Sequence, residues 1–199
     1  MMSFIKTAPK VFWISLVSLL VAHFAILYYL GQPIISKTGQ ILLWTNDVVS
    51  NENSQQIGDW YTPSHIIHGF IFFWILFFIL KNKPLWVRAL VAIIIEGAWE
   101  ILENSPFIIN RYRETTIAVG YYGDSILNSI CDNLWMLLGF FVAWKLGWKK
   151  TLAILIFFEL LTLFLIRDNL TLNVVMLLTP IEAIKMWQQG TYNFGFLGI

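Results

Sequence analysis

Between Val11 and Leu30 the chain carries no Asp, Glu, Lys or Arg, and three further stretches of similar length, 64–80, 85–102 and 124–146, are nearly as apolar. About 20 apolar residues in a helix cross the roughly 30 Å hydrocarbon layer of a bilayer, and a helix satisfies its own backbone hydrogen bonds there. These runs predict an all-α chain, a polytopic integral-membrane helical bundle. A fifth stretch, 151–166, is slightly short of a full crossing. A sixth, 172–187, is weaker because Pro180 and Glu182 interrupt it, and it fits a kinked span, a re-entrant piece or an interfacial helix. The expectation is five to six transmembrane helices in a single membrane domain covering 1–199. The segment 31–59, with Asn51-Glu52-Asn53-Ser54-Gln55-Gln56, forms a polar outer loop. Lys6 and Lys10 precede the first run, and Gly31-Gln32-Pro33 follows it in place of a small-residue cleavage site, so it reads as an uncleaved anchor.

Composition excludes most alternatives. Hydrophobic residues make up 58% of the chain and charged ones 13%, about half the roughly 25% usual in soluble domains. The 13 basic and 12 acidic residues leave a net charge of +1, which offers nucleic acid no basic face. The single cysteine, Cys131, forms neither an internal disulfide nor a thiolate metal site. Basic residues are retained on the cytoplasmic side of a membrane. With the N-terminus cytoplasmic, Lys6, Lys10, Lys81, Lys83, Arg88, Lys145, Lys149, Lys150 and Lys185 fall inside, leaving Lys37, Arg111, Arg113 and Arg167 outside.

On this topology the polar residues of the spans gather at one side. His65 and His68 lie at the start of the second span, and Glu96, Glu100 and Glu103 close the third, followed by Asn104. At 100° per residue the three carboxylates share an arc of about 60°. Asp124, Asn128 and Asp132 follow at i, i+4 and i+8, a stripe descending about 12 Å, with Ser125 beside it. Glu159, Arg167, Asp168 and Asn173 add a further group, and Arg111 and Arg113 come from the connecting loop. Any one of these groups can act as interhelical hydrogen-bond glue. Packing alone gives no reason for so many ionisable groups to share one depth, so an outward-facing polar cavity is expected.

The segments Asp59-Trp-Tyr-Thr-Pro-Ser-His-Ile-Ile-His-Gly69, Trp99-Glu-Ile-Leu-Glu-Asn-Ser-Pro106 with Arg111-Tyr-Arg-Glu114, Tyr122-Gly-Asp-Ser-Ile-Leu-Asn-Ser129 and Ile166-Arg-Asp-Asn-Leu-Thr-Leu-Asn173 together resemble a family of uncharacterised bacterial inner-membrane proteins, a domain of unknown function. The likeness covers roughly 55–190 and implies no activity. A looser resemblance is to VanZ-like membrane proteins. Here Asp59 with His65 or His68, Glu96 or Glu100, Arg111 or Arg113, and Asp124, Asn128 and Gly139 match the pattern, which implies envelope chemistry at the outer leaflet.

Two classes of function follow. In the first, a membrane-embedded enzyme acts on a lipid or lipid-linked envelope substrate. A carboxylate, Asp124 or Glu100, holds His65 or His68 as general base, and Ser125, Ser64 or Ser105 supplies a nucleophile. The candidate substrate-binding residues are Glu96, Glu103, Asn104, Arg111, Arg113, Asn128, Asp132, Arg167 and Asp168, with the arginines suited to a phosphate or carboxylate headgroup. No GxSxG or HExxH motif fixes the reaction. A variant places a divalent metal, zinc, manganese or iron, on His65, His68, Glu100 and Asp124, with Glu96 and Asp132 as further oxygen donors. In the second class the protein is an assembly factor, scaffold or small transporter, partnered by membrane lipids and a second copy of itself.

Overall fold

The computed structural model describes residues 8–116, 118 and 120–190; Lys6, counted above on the inner side, lies outside them. The described residues form eight helices and no strand: α1 (Lys10–Tyr29), α2 (Thr62–Ile79), α3 (Leu85–Glu103), α4 (Pro106–Thr115), α5 (Ile126–Leu146), α6 (Trp148–Ile166), α7 (Leu170–Leu178) and α8 (Glu182–Gln189). Their starts follow local chemistry. Proline, which lacks the N–H that a first turn leaves unbonded anyway, stands at the entry of α2, α3 and α4. Side-chain oxygens of Ser105, Ser125 and Asn169 accept from the first-turn amides of α4, α5 and α7.

Three helices, α1, α2 and α5, are long and apolar enough to cross a membrane, which points to membrane association. The helices α3 and α6, of 19 residues each, match them in length. Both are more charged, through Arg88, Glu96, Glu100 and Glu103 in one and Lys149, Lys150 and Glu159 in the other. The sixth predicted span is divided at Thr179-Pro180-Ile181 into α7 and α8, of nine and eight residues. At 1.5 Å per residue each is about 12 to 14 Å long, so no single helix crosses there. The outer faces of the long helices remain apolar: Ile14, Val17 and Val21 on α1, Ile71, Ile75 and Phe78 on α2, and Phe157, Leu160 and Phe164 on α6 are exposed, Phe164 by 83%. In water such stripes would be an aggregation liability; against lipid they cost nothing.

The central helix is α5, which touches α1, α2, α3 and α6 and packs most extensively on α2. That contact depends on two glycines. A Cβ on Gly69 would lie 2.0 Å from the Met136 carbonyl oxygen, and one on Gly139 would lie 2.1 Å from that of Ile66. The two backbones therefore touch where no other residue fits. On one side of this crossing the bundle closes with a wholly apolar cluster that includes Phe12, Phe70, Phe73, Ala89, Ile93, Met136 and Phe140. The buried carboxylates, with His65, lie toward the other end.

The segment 31–59 is more than a solvated loop. Its carbonyls at Pro33 and Ile34 accept from the Ile126 and Leu127 amides at 2.8 and 3.0 Å, satisfying the otherwise unbonded N-terminus of α5. Gln55 and Gln56 are fully buried. The Gln55 side chain donates to the Gly123 carbonyl at 2.9 Å, while the Gln56 side chain accepts from the Leu42 amide at 2.6 Å and also pairs with Glu52. Amide side chains bond backbone of either polarity, which lets an irregular segment pack tightly onto a helix end.

Candidate functional site

The N-terminal turns of α2, the C-terminal turns of α3 and the N-terminal turns of α5 meet at the polar end, and their side chains line a cavity of about 330 Å³. Glu96, fully buried, stands at its base. Its Oε1 accepts from Nδ1 of His65 at 2.8 Å, and its carboxylate accepts from Nδ1 of His68 at 3.1 Å. The i, i+3 spacing on α2 brings both rings to one carboxylate, and the rings sit 5.5 Å apart edge to face. Facing a carboxylate, each Nδ1 carries the proton, which leaves Nε2 as the basic nitrogen. His65 Nε2 lies 3.7 Å from Asp132 Oδ2, and its Nδ1 lies 3.4 Å from Glu100 Oε1. His68, the more open of the two, faces the cavity.

A second layer holds these groups. Ser129 Oγ donates to Glu100 Oε2 at 2.6 Å, and His23 of α1 donates through Nε2 to Ser129 Oγ at 2.8 Å. Asn104 and Asp124 bond reciprocally: the Asn104 side-chain amide donates to Asp124 Oδ2 at 2.7 Å, and the Asp124 backbone amide donates to Asn104 Oδ1 at 2.7 Å. Tyr121 donates to the other Asp124 oxygen at 2.9 Å. This carboxyl stands just ahead of α5, and burial lifts it to about 6 despite those donors. Burial likewise raises Asp59, whose carboxylate bonds the Ser54 and Tyr61 amides at 2.9 and 2.8 Å and so fixes the entry to α2.

Of the residues expected at the site, His65, His68, Glu96, Glu103, Asp124, Asn128 and Asp132 line the cavity, and Glu100 lies directly behind. The pairing differs from expectation. Glu96, expected to bind substrate, is the partner of both histidines, whereas Asp124 is committed to Asn104 and Tyr121. Ser125, one of the three candidate nucleophiles, is fully buried as the cap of α5, accepting from the Asn128 amide and donating to the Gln55 carbonyl at 2.8 Å. Asn128 donates to the Gln56 carbonyl at 2.8 Å. The arginines do not line the cavity: Arg111 binds the Leu177 carbonyl, Arg113 that of Tyr121, and Arg167 that of Trp187. Glu159 accepts from the Leu170 and Thr171 amides and caps α7. Asp168 is buried among Tyr61, Asn173 and Gln188, where desolvation raises it to about 6.

Sequence reasoning missed His23, Ser129, Trp99, Tyr61, Tyr112 and Tyr121. The last four line the cavity, and Tyr112 reaches Asn173 at 2.9 Å. Their signal was faint, because an aromatic or lone histidine in an apolar run looks like any core residue. The lining also includes the apolar side chains Phe72, Ile95, Leu170, Val174 and Leu177. Among the described residues, three sets of side chains place one possible ligand atom each within 4.8 Å of the others: His65, His68 and Glu96; His65, Glu100 and Asp132; and Glu100, Glu103 and Asp124.

Fold and site thus define an all-helical, membrane-associated protein with a carboxylate-rich, histidine-bearing cavity at one end of its bundle. A family model described as a protein of unknown function (DUF2585) matches residues 27–190. Similar relatives include a UPF0314 protein of Sphingopyxis alaskensis, 56% identical over 178 residues that cover 89% of this chain and 95% of that one. Another, from Rhizobium etli strain CIAT 652, is 53% identical over 180 residues, covering 90% and 92%. One from Agrobacterium fabrum is 52% identical over 170 residues, covering 85% and 86%. The chain belongs to this uncharacterised bacterial family. No solved structure matches it.

Proposed function

We propose that this is a multi-pass bacterial inner-membrane enzyme with five spans, its N-terminus in the cytoplasm and its cavity open toward the outer leaflet. Its substrate is a lipid or lipid-linked envelope molecule. The observation that carries the reading is the shared acceptor Glu96, which fixes the tautomer of two histidines in a cavity lined by both polar and apolar side chains. In that arrangement His68 Nε2 is a general base for a substrate hydroxyl or water, returning the proton to the leaving group as His68 becomes neutral again. Glu96 stabilises the imidazolium formed between these steps. The apolar part of the lining, Phe72, Ile95, Leu170, Val174 and Leu177, suits an acyl or prenyl chain. With no arginine lining the cavity, headgroup recognition falls to neutral groups such as Ser64. The VanZ-like resemblance adds no weight to this reading.

A transporter with alternating access is less well supported, because it needs polar groups toward both ends of the path. Here an apolar cluster fills the end opposite the cavity. The test is a comparative lipid and cell-wall profile of a deletion strain complemented with the wild type, His68→Ala or Glu96→Gln. The expected outcome is an accumulated precursor in the deletion strain that the wild type clears and neither variant does, at normal membrane abundance. Full rescue by both variants would rule out the acid–base role.

A further inference from the structure

The cavity holds one set of groups that acid–base chemistry leaves unexplained. Asp132, 5% exposed, lines the cavity and has an Oδ1 with no hydrogen-bond partner, and Glu100, 1% exposed, has an Oε1 in the same condition. A buried acceptor without a donor is costly, and native proteins retain one where a ligand uses it. Both oxygens belong to residues flanking the same imidazole. His65 Nε2 is 3.7 Å from Asp132 and Nδ1 is 3.4 Å from Glu100. Among the described residues, no lysine or arginine lines the cavity to balance the carboxylates.

We infer that His65, Glu100 and Asp132 form a binding site for one divalent first-row transition metal ion. The three offer ligand atoms within 4.8 Å of one another, and all three residues are buried. Imidazole nitrogen with carboxylate oxygens is a donor set for zinc, manganese or iron rather than for calcium or magnesium, which prefer oxygen alone. The surroundings are those of a supported metal site. Glu96 takes the Nδ1 proton of His65 and directs the other ring nitrogen toward Asp132, while Ser129, backed by His23, pins the second oxygen of Glu100. The other two candidate sets are weaker. In His65, His68 and Glu96 the facing atoms already bond each other, and in Glu100, Glu103 and Asp124 both Asp124 oxygens are taken by Asn104 and Tyr121. This inference goes beyond the acid–base reading and uses different ligand atoms of the same cavity.

The test uses the full chain purified in detergent, stripped with a chelator and titrated with Zn²⁺ and Mn²⁺, alongside metal analysis of the protein as isolated. The expected result is one ion per chain, with binding at least tenfold weaker in Asp132→Asn and Glu100→Gln, measurably weaker in Glu96→Gln and unchanged in Asp168→Asn. Melting of the stripped proteins provides the second readout. Asp132→Asn loses one buried negative charge and should melt no lower than stripped wild type. The inference fails if stripped wild type takes up neither ion, if Asp132→Asn binds as wild type does, or if that variant melts well below the stripped wild type. Metal binding is read without any lipid. A wild type that binds the ion while His68→Ala still rescues the deletion strain would remove the acid–base role and leave the metal site standing.

Discussion

Each polar side chain at the buried end divides between holding the fold and facing the cavity, and residue type does not say which. Asp168 holds the fold. It gathers Tyr61, Asn173 and Gln188 from three separate segments, and burial lifts its carboxyl to about 6. In the unfolded chain the same group titrates near 3.8. The folded protein therefore takes up this proton first as pH falls. Its stability gains as pH drops through 6 toward 4, and the gain is lost again above 6. Asp168→Asn removes that dependence. Between pH 4 and pH 7.5 the wild type should gain on the order of 2 kcal/mol more than the variant does on acidification, read as the pH dependence of thermal melting in detergent. Parallel melting curves for the two proteins would show that Asp168 is not desolvated. Ser125 and Glu159 are other residues of this kind: chemically reactive types whose oxygens cap helices.

At the scale of elements, the contact that matters most is the crossing of α2 and α5, which carry the histidines and Asp132. The backbones meet at Gly69 and Gly139, where added Cβ atoms would fall 2.0 and 2.1 Å from carbonyl oxygens. Gly69→Ala or Gly139→Ala should each cost about 3 kcal/mol, the upper end for overpacking, because backbone rather than a flexible side chain must yield. The double variant should cost less than the sum, since one separation of the helices relieves both clashes. Melting of the three purified variants measures this, and an additive result would mean that the two contacts are independent. Both single variants should also weaken function, because separating α2 from α5 moves His65 away from Asp132.

Across the whole molecule, polarity is divided end from end: an apolar cluster at one and the buried carboxylates, histidines and 31–59 segment at the other. The proposed orientation puts the polar end outside. In a Cys131→Ser background, Asn51→Cys, at an exposed position of that segment, should react with an impermeant thiol reagent on intact spheroplasts. Labelling only after lysis would turn the molecule over and move its cavity to the cytoplasm. Glu52 and Gln56 are less useful probes, because they bond one another within the packed segment.

Much of this was legible in the chain itself. Apolar run lengths located five long helices to within about three residues, because hydrocarbon thickness and backbone hydrogen bonding leave a long apolar run few choices. Helical periodicity also placed Glu96, Glu100 and Glu103 on one face and brought His65 and His68 together. The sequence could not say which partner each group takes, because distances of 3 Å between helices depend on how closely the backbones approach. Two glycines set the approach of α2 to α5, which puts His65 beside Asp132, while α3 brings Glu96 rather than Asp124 to the histidines as acceptor. The fate of 31–59 was equally hidden, since its bonds run to backbone atoms far along the chain. The sequence by itself determined an all-helical, apolar chain with the carboxylates of its second to fourth spans, and His65 and His68, gathered at one end. Only the tertiary structure decided which of those charges brace the bundle and which face the cavity, because that choice rests on contacts between segments distant in sequence.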